Sequence, residues 1–156
     1  MSEFRFYQVG NDSLARVLCE LLNKALEKGM RSLVVCGDEM RAEAIDSALW
    51  TEDPNSFLPH DMLAKSGDIH APIIVAHQAQ SLPENAQFDL LILLDGVVEY
   101  SCVDNAAMVC VMIDSSNAAA IQSSRDLWKK VVANDAVQAS FWVQNMAGKW
   151  EQKAAG

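Results

Sequence analysis

A chain of 156 residues, 51% hydrophobic and 21% charged, has the composition of one globular domain that buries roughly 68–70% of its unfolded surface, which excludes a disordered protein. Its net charge of −9 argues against a protein whose main task is gripping phosphate backbones, since that needs a basic face. The longest apolar run, Leu90 to Leu94 with Val97 and Val98 beyond, is far short of a membrane span, and Glu3 and Arg5 interrupt any apolar leader.

In chain order, Phe4 to Val9 alternates and is rich in aromatics, which suits a strand. Asp12 or Ser13 can cap a helix whose buried stripe is Leu14, Val17, Leu18, Leu21, Leu22, Ala25 and Leu26, and Gly29 is placed to end it in the left-handed conformation. Ser32 to Cys36 has the continuous apolar character of a strand covered on both faces. Gly37 turns the chain, and Asp38 caps a second helix running to Trp50. This β-α-β-α opening implies a parallel sheet with right-handed crossovers.

A loop follows from Trp50 to His60, then a polar stretch to about Ala71. Strands are expected at Pro72–His77, Phe88–Leu94 and Met108–Ile113, while Val97 to Asn105 has no clear pattern. Ser115 or Ser116 can cap a helix reaching about Ala133. Gln138 to Gln144 alternates as a strand, Asn145-Met146-Ala147-Gly148 makes a hairpin turn, and Lys149-Trp150-Glu151 begins a short return strand. The expectation is a single three-layer, Rossmann-like α/β domain over 1–152, with a mainly parallel sheet, a C-terminal antiparallel hairpin and a loose tail at 153–156.

Catalytic signals are lacking. The Cys36-Gly37-Asp38-Glu39 turn has one glycine and an acidic pair, which repels the phosphate a helix N-terminus would otherwise attract, and no phosphate-loop motif occurs. Leu90 to Asp95 resembles the strand and aspartate that hold magnesium in phosphate-loop enzymes, but without that loop it reads as a buried strand entering a turn. His60, His70 and His77 show no metal-ligand spacing, even with Asp61 and Asp68 nearby, and no serine lies in a nucleophile elbow. Cys19, Cys36, Cys102 and Cys110 form no CxxC pair and sit in apolar patterns, as reduced core thiols of a cytoplasmic protein do. No cofactor or metal is expected.

Two features stand out. On the helix before Ala133, Arg125, Trp128 and Lys129 share one face, with like charges one turn apart, while Asp126 is spaced to pair with Lys130. A cationic fork around an aromatic suits an acidic peptide or a terminal carboxylate. Equally, Trp128 can be core, with the cations favouring the helix C-terminus through its dipole. The second feature is the loop itself: Trp50, Phe57, Leu58 and Pro59 are too apolar for a solvated segment, so they are either buried or offered to a partner.

Several segments together resemble the chi subunit family of bacterial DNA polymerase III holoenzyme. Ala48-Leu49-Trp50 followed by Ser56-Phe57-Leu58-Pro59-His60 is similar to its ALW…SFxPH signature. Phe6-Tyr7, Cys36-Gly37-Asp38-Glu39, Pro72-Ile73-Ile74-Val75, Asp89-Leu90-Leu91-Ile92, Arg125-x-x-Trp128-Lys129, Phe141-Trp142-Val143-Gln144 and Gly148-Lys149-Trp150 fall in the family's order. The segment between Lys130 and Phe141 and the Val97–Asn105 connection depart from it. The resemblance implies a non-catalytic accessory subunit with a Rossmann-like fold. It also implies two partners: the psi subunit of the clamp loader, and the acidic, Phe-ending C-terminal tail of the single-stranded-DNA-binding protein. DNA is then met only indirectly. Carried over by position, the tail would contact Arg125, Trp128 and Lys129, with Trp50 and Phe57 forming an apolar wall beside them. The competing expectation is a small nucleotide-binding or nucleotide-hydrolysing α/β enzyme; direct duplex binding is disfavoured by the charge.

Overall fold

The computed structural model describes residues 3–10, 14–52, 58–63, 71–82, 86–97 and 106–155. The elements are β1 (Glu3–Val9), α1 (Leu14–Glu27), β2 (Ser32–Cys36), α2 (Glu39–Thr51), β3 (His60–Met62), β4 (Ile73–His77), β5 (Leu90–Leu93), β6 (Met108–Asp114), α3 (Ala118–Val132), β7 (Gln138–Gln144) and β8 (Trp150–Ala155). The strands form one sheet in the order β3-β4-β2-β5-β6-β1-β7-β8. Every neighbouring pair is parallel except β7–β8, which is antiparallel. The fold is therefore the expected α/β layering, and the sequence pattern explains why. Every residue of β2 and β5 is buried, because helices and connections cover both faces of the inner sheet.

Alternation along each strand divides the core in two. Phe4, Phe6, Leu33, Val35, Leu91, Leu93, Val109 and Val111 pack on one face, which α3 covers with Ile121, Leu127, Trp128 and Val131. Val9, Val34, Cys36, Ile92, Cys110 and Met112 pack on the other, under α1 (Val17, Leu18, Leu22) and α2 (Ala42, Ile45, Leu49). Cys19, Cys36 and Cys110 are buried free thiols; burial pushes those of Cys36 and Cys110 up to about 12. Cys102 lies outside the described residues.

Helix ends follow local chemistry. Gly29 sits at φ 72°, and the Met30 amide reaches back to the Ala25 carbonyl at 2.9 Å, closing α1 with the wrap that a left-handed residue permits. Asp38 caps α2 by accepting from the Arg41 amide at 2.8 Å. At α3 the cap is Asn117, not Ser115 or Ser116. Both serines are committed elsewhere: Ser115 Oγ donates to the Val9 carbonyl, and Ser116 donates through its amide and hydroxyl to Asp114. The Asp12 and Ser13 positions fall outside the described residues.

Two further differences concern the sheet edges. His60–Met62, read from the sequence as the end of a loop, pairs with β4 as a three-residue strand. Lys153 to Ala155, expected to be loose, continue β8, with Ala154 opposite Phe141 and Ala155 opposite Ser140. The register slips between Phe141 and Trp142, where Lys153 is the extra residue of β8.

Candidate functional site

On α3, Arg125 and Lys129 are both exposed and one turn apart, and the partly buried Trp128 lies between them in sequence and packs toward the sheet. The indole is held edge-on by Phe6 of β1 (centroids 5.4 Å, 87°) and by Phe141 of β7 (5.7 Å, 88°). These are favourable T-shaped geometries, and they fix the ring while leaving one margin at the surface. Trp128 thus serves the core and the surface together. Asp126 accepts from Gln122 Nε2 at 3.0 Å, and no ion pair joins it to Lys130, so Arg125, Lys129 and Lys130 lie along the helix with no carboxylate within bridging distance among the described residues. Lys129 and Lys130 occupy its last turn, where cations are favoured. The arrangement is a three-cation strip beside a pre-positioned aromatic edge, suited to an acidic, unbranched ligand.

Of the expected apolar wall, Trp50 does not stand beside it. Trp50, at the end of α2, is 52% exposed and rests on the His60 ring of β3 (centroids 4.5 Å). The α2 side chains before it pack on the opposite face of the sheet from α3. β3 is also five strand steps from β1 in the sheet order, about 24 Å at the usual strand spacing. Trp50 and Trp128 are therefore brought to different layers and different edges. Phe57 lies outside the described residues. Leu49 and Leu58, at 3% exposure each, anchor the two ends of this loop in the core.

His60 was read from the sequence as the end of the family signature and as a histidine without metal spacing. In the structure its ring is buried: Nδ1 meets the Leu58 carbonyl at 2.7 Å, and Nε2 faces Asp46 Oδ1 at 3.1 Å. These contacts hold the ring as a platform for Trp50. Trp50 ends α2 and His60 begins β3, so no periodicity within one element relates them, and the pair is not legible in the sequence.

The carboxyl ends of parallel strands are where ligands bind in open α/β sheets. Here that crevice is closed by the chain itself. Asp95, after β5, adopts φ 57°, accepts from the Gly37 amide at 2.9 Å and pairs with Arg41 Nε at 3.1 Å. A Cβ at Gly37 would stand 3.0 Å from the Asp95 Cβ. The position where a phosphate would meet the N-terminus of α2 is thus occupied by a carboxylate already neutralised by Arg41. Among the described residues no group of three His, Cys, Asp or Glu side chains could hold a metal ion, and no helix is long and apolar enough to cross a membrane.

Residues 1–138 match the family model described as "DNA polymerase III chi subunit, HolC". The chain belongs to this family. It is 30% identical to the DNA polymerase III subunit chi of Escherichia coli K12 over 83 residues, covering 49% of this chain and 56% of that protein. It is 33% identical to that of Pseudomonas aeruginosa PAO1 over 76 residues, covering 47% and 52% respectively. The chain thus spans about half the length of the curated chi subunits it matches. Among solved structures, the C-terminal domain of a possible DNA helicase from Lactobacillus plantarum WCFS1 superposes with a TM-score of 0.56 at 14% identity, covering 79% of this chain and 81% of that one. At that identity the similarity concerns the fold alone.

Proposed function

We propose that this chi-family chain is a non-catalytic coupling subunit of the replicative polymerase. It binds the acidic C-terminal tail of the single-stranded-DNA-binding protein on α3, and it connects that protein to the clamp loader through psi. The observation that carries this reading is the pair of exposed cations Arg125 and Lys129 beside the Trp128 edge, with no carboxylate within bridging distance among the described residues, on a chain of net charge −9. The cations meet the acidic side chains and terminal carboxylate of the tail, and the indole margin meets its last ring. The separate Trp50–His60 corner, on the other layer of the sheet, leaves a second face for psi, so both partners can be held at once. The self-filled crevice at Asp95 supports a role without nucleotide chemistry and disfavours the nucleotide-hydrolysing alternative.

A fluorescent acidic peptide ending in Pro-Phe, titrated into the full chain, tests the tail reading. The expected result is binding that weakens steadily with salt, because exposed charge contacts are screened, and that weakens again when the terminal carboxylate is amidated. Binding indifferent to both changes would overturn it, as would measurable ATP or GTP binding for the non-catalytic assignment.

A further inference from the structure

On the face of the sheet opposite α3, a cleft of about 280 Å³ opens between α1 and the outer strands. Its strand wall is built by Tyr7 of β1, Trp142 of β7 and Trp150 of β8. Tyr7 and Trp142 are register partners, so they stand in one row, and Trp150 meets Tyr7 edge-on at 5.3 Å. Its helix wall presents Glu20 and Lys24, one turn apart on α1, and Arg5 closes the floor. Among the described residues no helix is seen to cover the outer part of this wall: α3, the helix that packs on β7, does so from the other face. Three adjacent strands thus turn large aromatic rings toward an open space, where a sheet covered by helices would turn aliphatic ones.

The charges around the space are unequal. Glu20 is engaged by Arg16 along the helix at 3.7 Å. Arg5 is oriented by Glu3, its Nε donating to Oε1 at 2.9 Å, and it lines the cleft beside Tyr7, whose pKa is raised mainly by burial. Lys24 is exposed and has no carboxylate within 4 Å among the described residues. The net demand of the cleft is therefore an apolar ring with a negative charge close beside it.

We propose that this cleft is a docking pocket for one aromatic side chain flanked by an acidic residue, presented by an internal segment of a partner polypeptide. The pocket admits one ring among three, and the carboxylate beside that ring meets Lys24. A polypeptide fits better than single-stranded nucleic acid. Nucleic acid would stack on such rings, but it needs a run of cations along its backbone, and only Lys24 is unpaired here on a chain of net charge −9. Addition of the partner as a further strand is disfavoured, because β8 is an edge blunted by Glu151, Lys153 and the register slip.

The test is an indole N–H nuclear magnetic resonance titration of the full chain with a capped tripeptide, acetyl-Glu-Phe-Glu-amide. Its lack of a terminal carboxylate separates this pocket from the α3 face. The expected result is that the Trp142 and Trp150 resonances shift while those of Trp50 and Trp128 stay. Acetyl-Lys-Phe-Lys-amide and the Lys24→Glu variant should each weaken the effect about two- to fivefold. Lys24 is exposed on α1, and a thermal melt of the variant checks that it keeps its fold. No shift at millimolar peptide, shifts confined to Trp128 or Trp50, affinity unchanged in Lys24→Glu, or stronger competition from oligothymidylate than from the acidic peptide would each overturn the proposal.

Discussion

The Trp128 indole meets the Phe6 ring edge-on, with centroids 5.4 Å apart, and this contact ties the candidate binding face to the core. Trp128→Ala should therefore lower stability by about 2–4 kcal/mol, the usual range for losing a large aromatic that is well but not fully packed. Urea unfolding checks this. A loss of affinity in that variant alone would mix binding with folding, so the charge variants are the cleaner probes of the face.

Leu49 and Trp50 are neighbours in sequence with opposite duties. Leu49 is 3% exposed and Trp50 52%. Leu49→Ala should cost about 2–4 kcal/mol. Trp50→Ala should cost less than about 1 kcal/mol, because its ring covers His60 but fills no core space. If Trp50→Ala unfolds the domain as readily as Leu49→Ala, Trp50 is a core residue and not an offered one.

Gly37 and Asp95 lock the crevice at the strand ends. Gly37→Ala should destabilise by about 1–3 kcal/mol, since the added methyl would press on the Asp95 Cβ at 3.0 Å. Asp95→Asn should be milder, because asparagine tolerates the left-handed backbone and its side-chain oxygen still accepts from the Gly37 amide. Thermal melts of the two variants rank them; the reverse order would contradict this account of the turn.

The thiols of Cys36 and Cys110 are pushed from 9.0 up to about 12 by burial. Above pH 9 the unfolded chain releases these protons while the folded chain keeps them. Their contribution is therefore complete below that value and is lost as pH rises from about 9 toward 12. The melting temperature should fall with pH across that window, less steeply in Cys110→Ala. Both thiols should resist alkylation at pH 8 until the protein unfolds. Rapid alkylation of the native protein would show that they are not buried.

Much of the fold was legible because strong patterns determine it. Ser32–Cys36 and Leu90–Leu93 are apolar on both faces, α1 carries an uninterrupted stripe, and Asp38 and Gly29 punctuate helices by plain stereochemistry. Weak signals failed. β3 has only three residues, too few for alternation to register. Asn117 caps α3 because both earlier serines find other partners, a competition settled only in three dimensions. The tail at Lys153–Ala155 joins β8 by pairing with β7, which its composition does not announce. At the candidate site, helical spacing put Arg125, Trp128 and Lys129 together on one helix, and in the structure the two cations are exposed while the indole packs on Phe6 and Phe141. Spacing within one helix says nothing about which layer of the sheet that helix covers, so it could not show that Trp50 stands on the opposite side.

The central claim is that the cationic face of α3 receives an acidic tail, and the most direct measurement is the affinity of the Pro-Phe-ending acidic peptide for the wild-type chain and for Lys129→Glu, a change on an exposed residue that leaves the Phe6–Trp128–Phe141 packing in place. The account predicts about three- to tenfold weaker binding by the variant at low salt, a melting temperature lowered by no more than about 4 °C through the lost helix-end cation, and a difference in affinity that shrinks as salt is added. Equal affinity of the two proteins at low salt would contradict it.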